Sequence, residues 1–200
     1  MTFSIKLRRR IVETQPAKND TEFTNSNLET MYSSEEIATR VKELGAQITK
    51  DYADKDLILI GVLKGSCVFM ADLMREIDLN LEIDFMAVAS YKGTKSSGDV
   101  EILKDLTKSI RGKDVIVCED IIDTGLTLTR LVEILGTRGA NSIKIATLLD
   151  KPEPRLNKDL KVDYCGFVIP NKFVVGYGLD VDGRFRNLPF IGVVKNPDLI

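Results

Sequence analysis

Apolar positions along the chain fall into blocks of two periods. LILIGVL (57–63), DVIVCED (114–120) and SIKIATLLD (142–150) are short, nearly continuous apolar runs rich in Ile, Val and Leu, the pattern of strands buried on both faces of a parallel sheet. Between them the period changes. Ile37, Val41, Leu44 and Ile48 recur at helical intervals behind Ser33 and Glu36, which have capping-box spacing, and they predict a helix over 34–51. SCVFMADLMREI predicts a second helix over 66–77, with Phe69, Leu73 and Ile77 on one side, and TGLTLTRLVEILGTRG a third over 124–139. Repetition of strand, loop and helix implies an α/β fold with a mainly parallel central sheet flanked by helices.

Other stretches depart from that alternation. LEIDFMAVASY and VEILKDL flank the polar KGTKSSGD (92–99), which predicts a hairpin with a long mobile tip suited to a lid. After KPEPR the strands shorten, to 162–169 and 173–179, and RFRNLPFIGVV follows. This region, 151–195, is expected to form most of a small hood over the strand ends. Residues 13–29 are polar, so residues 1–29 are expected to be a poorly ordered extension of one domain spanning 30–200.

Composition narrows the chemistry. At 200 residues and 44% hydrophobic, the chain is long enough to bury a substantial core. A net charge of -2 and a pI near 5.4 provide no global basic field, so nucleic acid is not an expected partner. Cys67, Cys118 and Cys165 are odd in number and lie in or beside apolar runs, which reads as buried free thiols in a reducing compartment. No apolar run has membrane-span length, and Arg8, Arg9 and Arg10 follow rather than precede the short initial apolar patch, so a cytoplasmic protein without a membrane partner is expected. Histidine is absent, which excludes serine–histidine hydrolysis and histidine-ligated metals and leaves proton transfer to carboxylates, Lys, Tyr or Cys. GVLKGS (61–66) and GYG (176–178) only brush against the common nucleotide-binding loops.

The densest chemical signal is VCEDIIDTGLTLT (117–129). Three acids, Glu119, Asp120 and Asp123, follow a buried strand, and Thr124, Gly125 and Thr127 open a helix. The helix N-terminus and the glycine suit a phosphate, with the two threonines as hydroxyl donors. Glu119 and Asp120, acceptor-only when ionised, suit a vicinal diol such as that of ribose, with Mg²⁺ nearby. A ribose 5-phosphate satisfies both. The competing assignment makes Asp123 and Thr124 simple helix caps and leaves the other acids in solvent.

VIVCEDIIDTGLTLT resembles the phosphoribosyl pyrophosphate signature of type I phosphoribosyltransferases: apolar residues, two acids, two apolar residues, Asp, then Thr/Ser-Gly-x-Thr. GVLKGS, the Ser-Tyr at 90–91, LLDKP, PNKFVVGYGLD and FRNLPFIGV resemble, in order, the hypoxanthine-guanine phosphoribosyltransferases, especially bacterial ones, over about residues 30–195. The extension before residue 30 departs from that pattern, as does Leu126, where eukaryotic members often carry lysine.

The resemblance implies the type I phosphoribosyltransferase fold, with a hood contributed by both ends of the domain and a flexible hairpin loop. It implies 5-phosphoribosyl transfer to N9 of hypoxanthine or guanine, with Mg²⁺ and with inversion at the anomeric carbon. Glu119 and Asp120 would hold the ribose hydroxyls, and Asp123, Thr124, Gly125, Leu126 and Thr127 the 5′-phosphate. Asp123 would also exchange a proton with the purine imidazole. Lys64, Gly65 and Arg186 would face the pyrophosphate, with Glu119, Asp120 and Asp180 as metal carboxylates and Asp182 a less specific neighbour. Lys151 would donate to the purine 6-oxo group, Phe173 would stack on the ring, and Lys172 and Val174 would offer carbonyls to the base, with Asp180 beside this group. Ser90 and Tyr91 would begin the lid. A homodimer or homotetramer is implied; xanthine acceptance stays open. Two other readings compete: a regulator of the same fold binding RNA or DNA, and a phosphoribosyltransferase for adenine, orotate or uracil. The run LLDKP with NKF opposes both.

Overall fold

The computed structural model describes residues 27–90 and 100–196. The chain runs β1 (Leu28–Tyr32), α1 (Ser34–Asp51), β2 (Leu57–Leu63), α2 (Ser66–Glu76), β3 (Glu82–Ser90), β4 (Val100–Lys104), β5 (Asp114–Ile122), α3 (Leu126–Gly136), β6 (Ser142–Asp150), β7 (Tyr164–Val168), β8 (Val174–Val175) and β9 (Ile191–Val194). Six strands form one sheet in the order β4-β3-β2-β5-β6-β7. All its neighbouring pairs are parallel except the β3–β4 hairpin, which is antiparallel.

Period-two alternation within the apolar runs decides which helix lies on which face. Leu57 and Leu59 of β2, with Ile116 and Cys118 of β5, face α1 and α2 through Ile37, Val41, Leu44, Ile48, Phe69 and Leu73. Ile58 and Ile60, with Val115 and Val117, face α3 through Leu128, Leu131 and Leu135. Each such side chain contributes about 1.5–3 kcal/mol on burial, more than one capping contact, so the sheet faces hold the helices in place. Ser33 closes α1 with the expected capping box: its hydroxyl accepts from the Glu36 N–H, and Glu36 accepts from the Ser33 N–H at 2.8 Å.

A second sheet, β1-β9-β8, is antiparallel throughout and forms the hood around Leu28, Val175, Val181 and Val194. Here the structure changes several expectations. Leu28 and Glu29, assigned from sequence to the extension, are paired to Val194 and Val193 and belong to the folded unit. The strand expected over 173–179 is confined to Val174–Val175, because Gly176, Tyr177 and Gly178 all take positive φ. Helix α3 starts at Leu126 rather than 124, since Gly125 at φ 77 is left-handed, and it ends at Gly136. Of the three free thiols, Cys118 is buried, whereas Cys67 and Cys165 are partly exposed. The rest of the expected extension (1–26, including Arg8, Arg9 and Arg10) and the lid segment 91–99 lie outside the described residues.

Replacing Ser33 by Ala removes one half of the capping box at a solvent-exposed position. A loss of about 1 kcal/mol in urea unfolding is expected, with no change in the chemistry of the distant crevice. An unchanged unfolding midpoint would show that the box adds nothing to the packing of α1.

Candidate active site

β2 and β5 are neighbours, yet their successors lie on opposite sides: β3 beyond β2, and β6 beyond β5. The loops leaving their carboxyl ends therefore diverge and open a crevice, the place where open α/β sheets bind ligands. On the β5 side, Glu119, Ile121, Ile122, Asp123, Thr124, Gly125, Thr127 and Leu128 line a recess of about 150 Å³. No side chain caps α3, whose N-cap is Gly125 itself. The reading of Asp123 and Thr124 as simple caps is thereby removed. Both are exposed in the crevice, and Leu126, 38% exposed, opens the helix beside them.

The opposite wall is built by three segments in close approach. A Cβ on Gly65 would fall 1.5 Å from Asp120 Oδ2, and one on Gly178 would fall 2.1 Å from the Gly65 carbonyl oxygen. Neither position accepts a side chain without moving its neighbour. The Leu63–Lys64 peptide is cis, and Lys64 is exposed. Arg186 donates to the Gly178 carbonyl at 2.6 Å and pairs with Asp180 at 2.6 Å, and its charge acts on Asp120. Asp180 also accepts from the Gly183 N–H at 2.7 Å. Lys64, Gly65, Asp120, Asp180 and Arg186, scattered in sequence, thus share one wall.

Glu119 and Asp120 are partly accessible at the crevice yet densely enclosed by protein. Burial, then the Asp120 charge, pushes the Glu119 carboxyl well above its ordinary value of 4.5. Burial also raises Asp120, against the opposing pull of backbone N–H groups and Arg186. Among the described residues no three carboxylate or thiol groups converge as a metal-ligand set, so Glu119, Asp120 and Asp180 do not form a closed cage. Hard carboxylate oxygens under mutual repulsion fit a Mg²⁺ ion that takes most of its ligands from substrate phosphates and water.

Of the residues expected to meet the base, Lys151 stands at the end of β6, and Lys172, Phe173 and Val174 lie in or beside the hood. Lys151 is 7% exposed, and its backbone N–H donates to the Ile122 carbonyl at 2.9 Å, which sets it beside the 119–127 turn. Phe173 is 46% exposed while its carbonyl accepts from Val194 N–H at 2.9 Å, so the backbone is held and the ring left open. Val174 is buried and paired with Val193, and Lys172 is exposed in a turn onto the Pro170 carbonyl. Ser90 ends β3 opposite Val100, and Tyr91 is outside the described residues.

Two supporting features were not read from the sequence. Tyr177 sits at φ 49 between two positive-φ glycines and donates its hydroxyl to Asp72 of α2, which ties the hood to the helix behind Gly65. Arg155, in the loop after β6, is buried beneath Gly125. Neither Asp72 nor Arg155 belongs to a period or motif; only the Gly-Tyr-Gly run hinted at unusual backbone.

The phosphoribosyl transferase domain model matches residues 27–182. The hypoxanthine-guanine phosphoribosyltransferase of Streptococcus mutans is 57% identical over 166 residues, covering 82% of this chain and 92% of that protein. That of Bacillus subtilis is also 57% identical over 166 residues, with the same coverage of both chains. The crystal structure of a hypoxanthine phosphoribosyltransferase from Staphylococcus aureus superposes with a TM-score of 0.84 at 50% identity, covering 89% of this chain and 96% of that one.

The raised carboxyls have a consequence for stability. Glu119 and Asp120 bind protons more tightly in the folded than in the unfolded chain. The contribution of these two carboxyls to the stability of the ligand-free, metal-free protein is therefore fullest below the ordinary carboxylate range and declines as pH rises from there through the raised values, whereas Glu82, Asp84 and Asp105, held below that range, act in the opposite sense. Glu119→Gln removes a buried group whose ionisation the fold disfavours, so its melting temperature at neutral pH should exceed that of the parent by a few degrees, and the gain should shrink on acidification. Calorimetry in the presence of a chelator checks this; a variant less stable than the parent at neutral pH contradicts it.

Proposed function

Since the chain belongs to the hypoxanthine-guanine phosphoribosyltransferase family, we propose that it acts in purine salvage, transferring the 5-phosphoribosyl group of phosphoribosyl pyrophosphate to N9 of hypoxanthine or guanine. The products are IMP or GMP and pyrophosphate. The observation that carries this reading is the crevice between β2 and β5, with its uncapped helix start on one wall and the Asp120, Asp180 and Arg186 cluster on the other.

The residues divide the work by chemistry. Asp123, Thr124, Gly125, Leu126 and Thr127 receive the 5′-phosphate through backbone N–H groups and hydroxyls. Leu126 brings no cation, so the helix start carries that role unaided. Glu119 and Asp120 accept from the ribose hydroxyls and face the positive charge that develops at the anomeric carbon. As N9 bonds to that carbon, the bond to pyrophosphate breaks, and Arg186 with Lys64 and the Gly65 N–H faces the departing charge. When bound with the substrate, Mg²⁺ would neutralise pyrophosphate charge, held by Asp120 and Asp180 with Glu119 close by. Asp123 takes the proton that the imidazole ring releases, the task for which the chain has no histidine.

Base choice rests on Lys151, a donor that suits a 6-oxo group and not an amino group. The open ring of Phe173 supplies a stacking surface, and the carbonyls of Lys172 and Val174 accept from the base. Ser90 and Tyr91 would start the lid that the family resemblance implies, a segment that lies outside the described residues from Tyr91 onward. We read the working state as a cytoplasmic homodimer or homotetramer; no helix among the described residues is long and apolar enough to cross a membrane.

A steady-state assay with Mg²⁺, phosphoribosyl pyrophosphate and each of hypoxanthine, guanine, xanthine and adenine tests the reading. Turnover of hypoxanthine and guanine but not adenine is expected; folded protein inactive with every base would overturn it. Asp123→Asn should lower kcat at least about a hundredfold with a much smaller change in the KM for phosphoribosyl pyrophosphate. Equal losses in both would make Asp123 a binding group only. Lys151→Ala should raise the 6-oxopurine KM about tenfold or more, and unchanged base kinetics would remove its assigned role.

A further inference from the structure

Three successive carbonyls in the 122–125 turn are held by one segment, 151–156. The Ile122 carbonyl accepts from Lys151 N–H at 2.9 Å, and the Thr124 carbonyl from Leu156 N–H at 3.0 Å. The carbonyl between them, that of Asp123, accepts from Arg155 Nε at 3.2 Å, and Arg155 Nη2 lies 3.5 Å from the Ile122 oxygen. Arg155 is 7% exposed and its guanidinium pairs with Asp150, so the buried cation is neutralised within the clamp. Its stem lies under Gly125: a Cβ there would meet Arg155 Cδ at 2.9 Å.

Peptide geometry converts these contacts into an orientation for the opposite side of the turn. In a trans peptide the N–H of one residue points away from the carbonyl of the residue before it. The cis peptide among the described residues is Leu63–Lys64, so the peptides of this turn are trans. With the carbonyls of Ile122, Asp123 and Thr124 turned toward Arg155 and Leu156, the N–H groups of Asp123, Thr124 and Gly125 turn toward the recess. We propose that Arg155 is a positioning residue that aims this row of N–H groups at the substrate's 5′-phosphate. The proposal rests on the phosphoribosyl reading of the recess. Arg155 does not touch the ligand; its charge is answered by Asp150, and its contribution is direction rather than field. Only a planar guanidinium meets two carbonyls and a carboxylate at once, whereas a lysine offers a point charge on a flexible stem.

The test uses the full chain as wild type, Arg155→Lys and Arg155→Ala. Calorimetric binding of ribose 5-phosphate, without metal or base, is measured beside the KM values for phosphoribosyl pyrophosphate and hypoxanthine. Arg155→Lys and Arg155→Ala should each weaken ribose 5-phosphate about tenfold or more and raise the phosphoribosyl pyrophosphate KM in parallel, with the hypoxanthine KM changed less than about twofold. Millimolar guanidinium ion should restore part of the affinity of Arg155→Ala and none of that of Arg155→Lys. A folded variant that melts lower but binds ribose 5-phosphate as the wild type does would make Arg155 a structural clip and overturn the proposal, as would equal loss for phosphate and purine. If Arg155→Ala does not fold, Arg155→Lys decides the matter by the same binding measurement. Wild-type protein that binds ribose 5-phosphate yet turns over no purine would sink the catalytic reading while leaving the positioning role open to the same comparison.

Discussion

The parallel pairing of β2 with β5 is the constraint on which the site depends. Leu57 lies opposite Asp114 and Gly61 opposite Cys118, so the two strands run in step and deliver their carboxyl ends side by side. Their crossovers then lead to opposite halves of the sheet, and no other element has to be moved aside to open a crevice. This register brings Gly65 into contact with Asp120, over a separation that only a residue without a side chain accepts. Gly178 repeats the device from the hood, so three backbone segments meet around one carboxylate. A one-residue slip between β2 and β5 would reverse the faces of one strand relative to the other and disperse this cluster.

The same register creates electrostatic tension. Glu119 and Asp120 stand at the end of a fully buried run, where protein encloses them without supplying enough positive charge to match. Arg186 is shared between Asp180, with which it pairs, and Asp120, on which its charge acts. For the fold alone this enclosure is unfavourable. On the proposed function it would become favourable when a ligand brings hydroxyl donors, a metal ion or a developing cationic carbon, the site then being complementary to what it binds rather than to itself. Across the crevice the requirement is reversed. On the proposed reading a phosphate turn needs donors in place before the ligand arrives, and the 151–156 segment, which holds the carbonyls on the far side, would meet that need.

Much of this was legible in the chain. The apolar runs at 57–63, 114–120 and 142–150 became β2, most of β5 and β6, and the capping box at Ser33 started α1 where expected. These readings succeeded because periodicity and capping are local, and tertiary packing agreed with both. The errors lay at glycines and in the hood. Gly125 moved the start of α3 by two residues, and Gly176 and Gly178 cut short a segment whose apolar pattern suggested a longer strand. A glycine's φ is set by what approaches it, and nothing in its neighbours' identities announces that. Leu28 and Glu29 fell in the extension because the run before them is polar, and the partner that orders them, β9, lies near the other end of the chain.

The sequence by itself determined the alternation of strands and helices, the two faces of the sheet, and the run of acids, threonines and glycine at 119–127, since each is written in residues adjacent in the chain or spaced by one helical or strand repeat. Tertiary structure alone decided that Asp120, Gly65, Gly178 and Arg186 form one wall, that Tyr177 is latched to Asp72, and that a buried arginine lies under the 122–125 turn. Those contacts join residues separated by tens of positions. Their strength comes from close approach and from leaving no buried polar group unpaired, and both exist only once the sheet has brought the segments together.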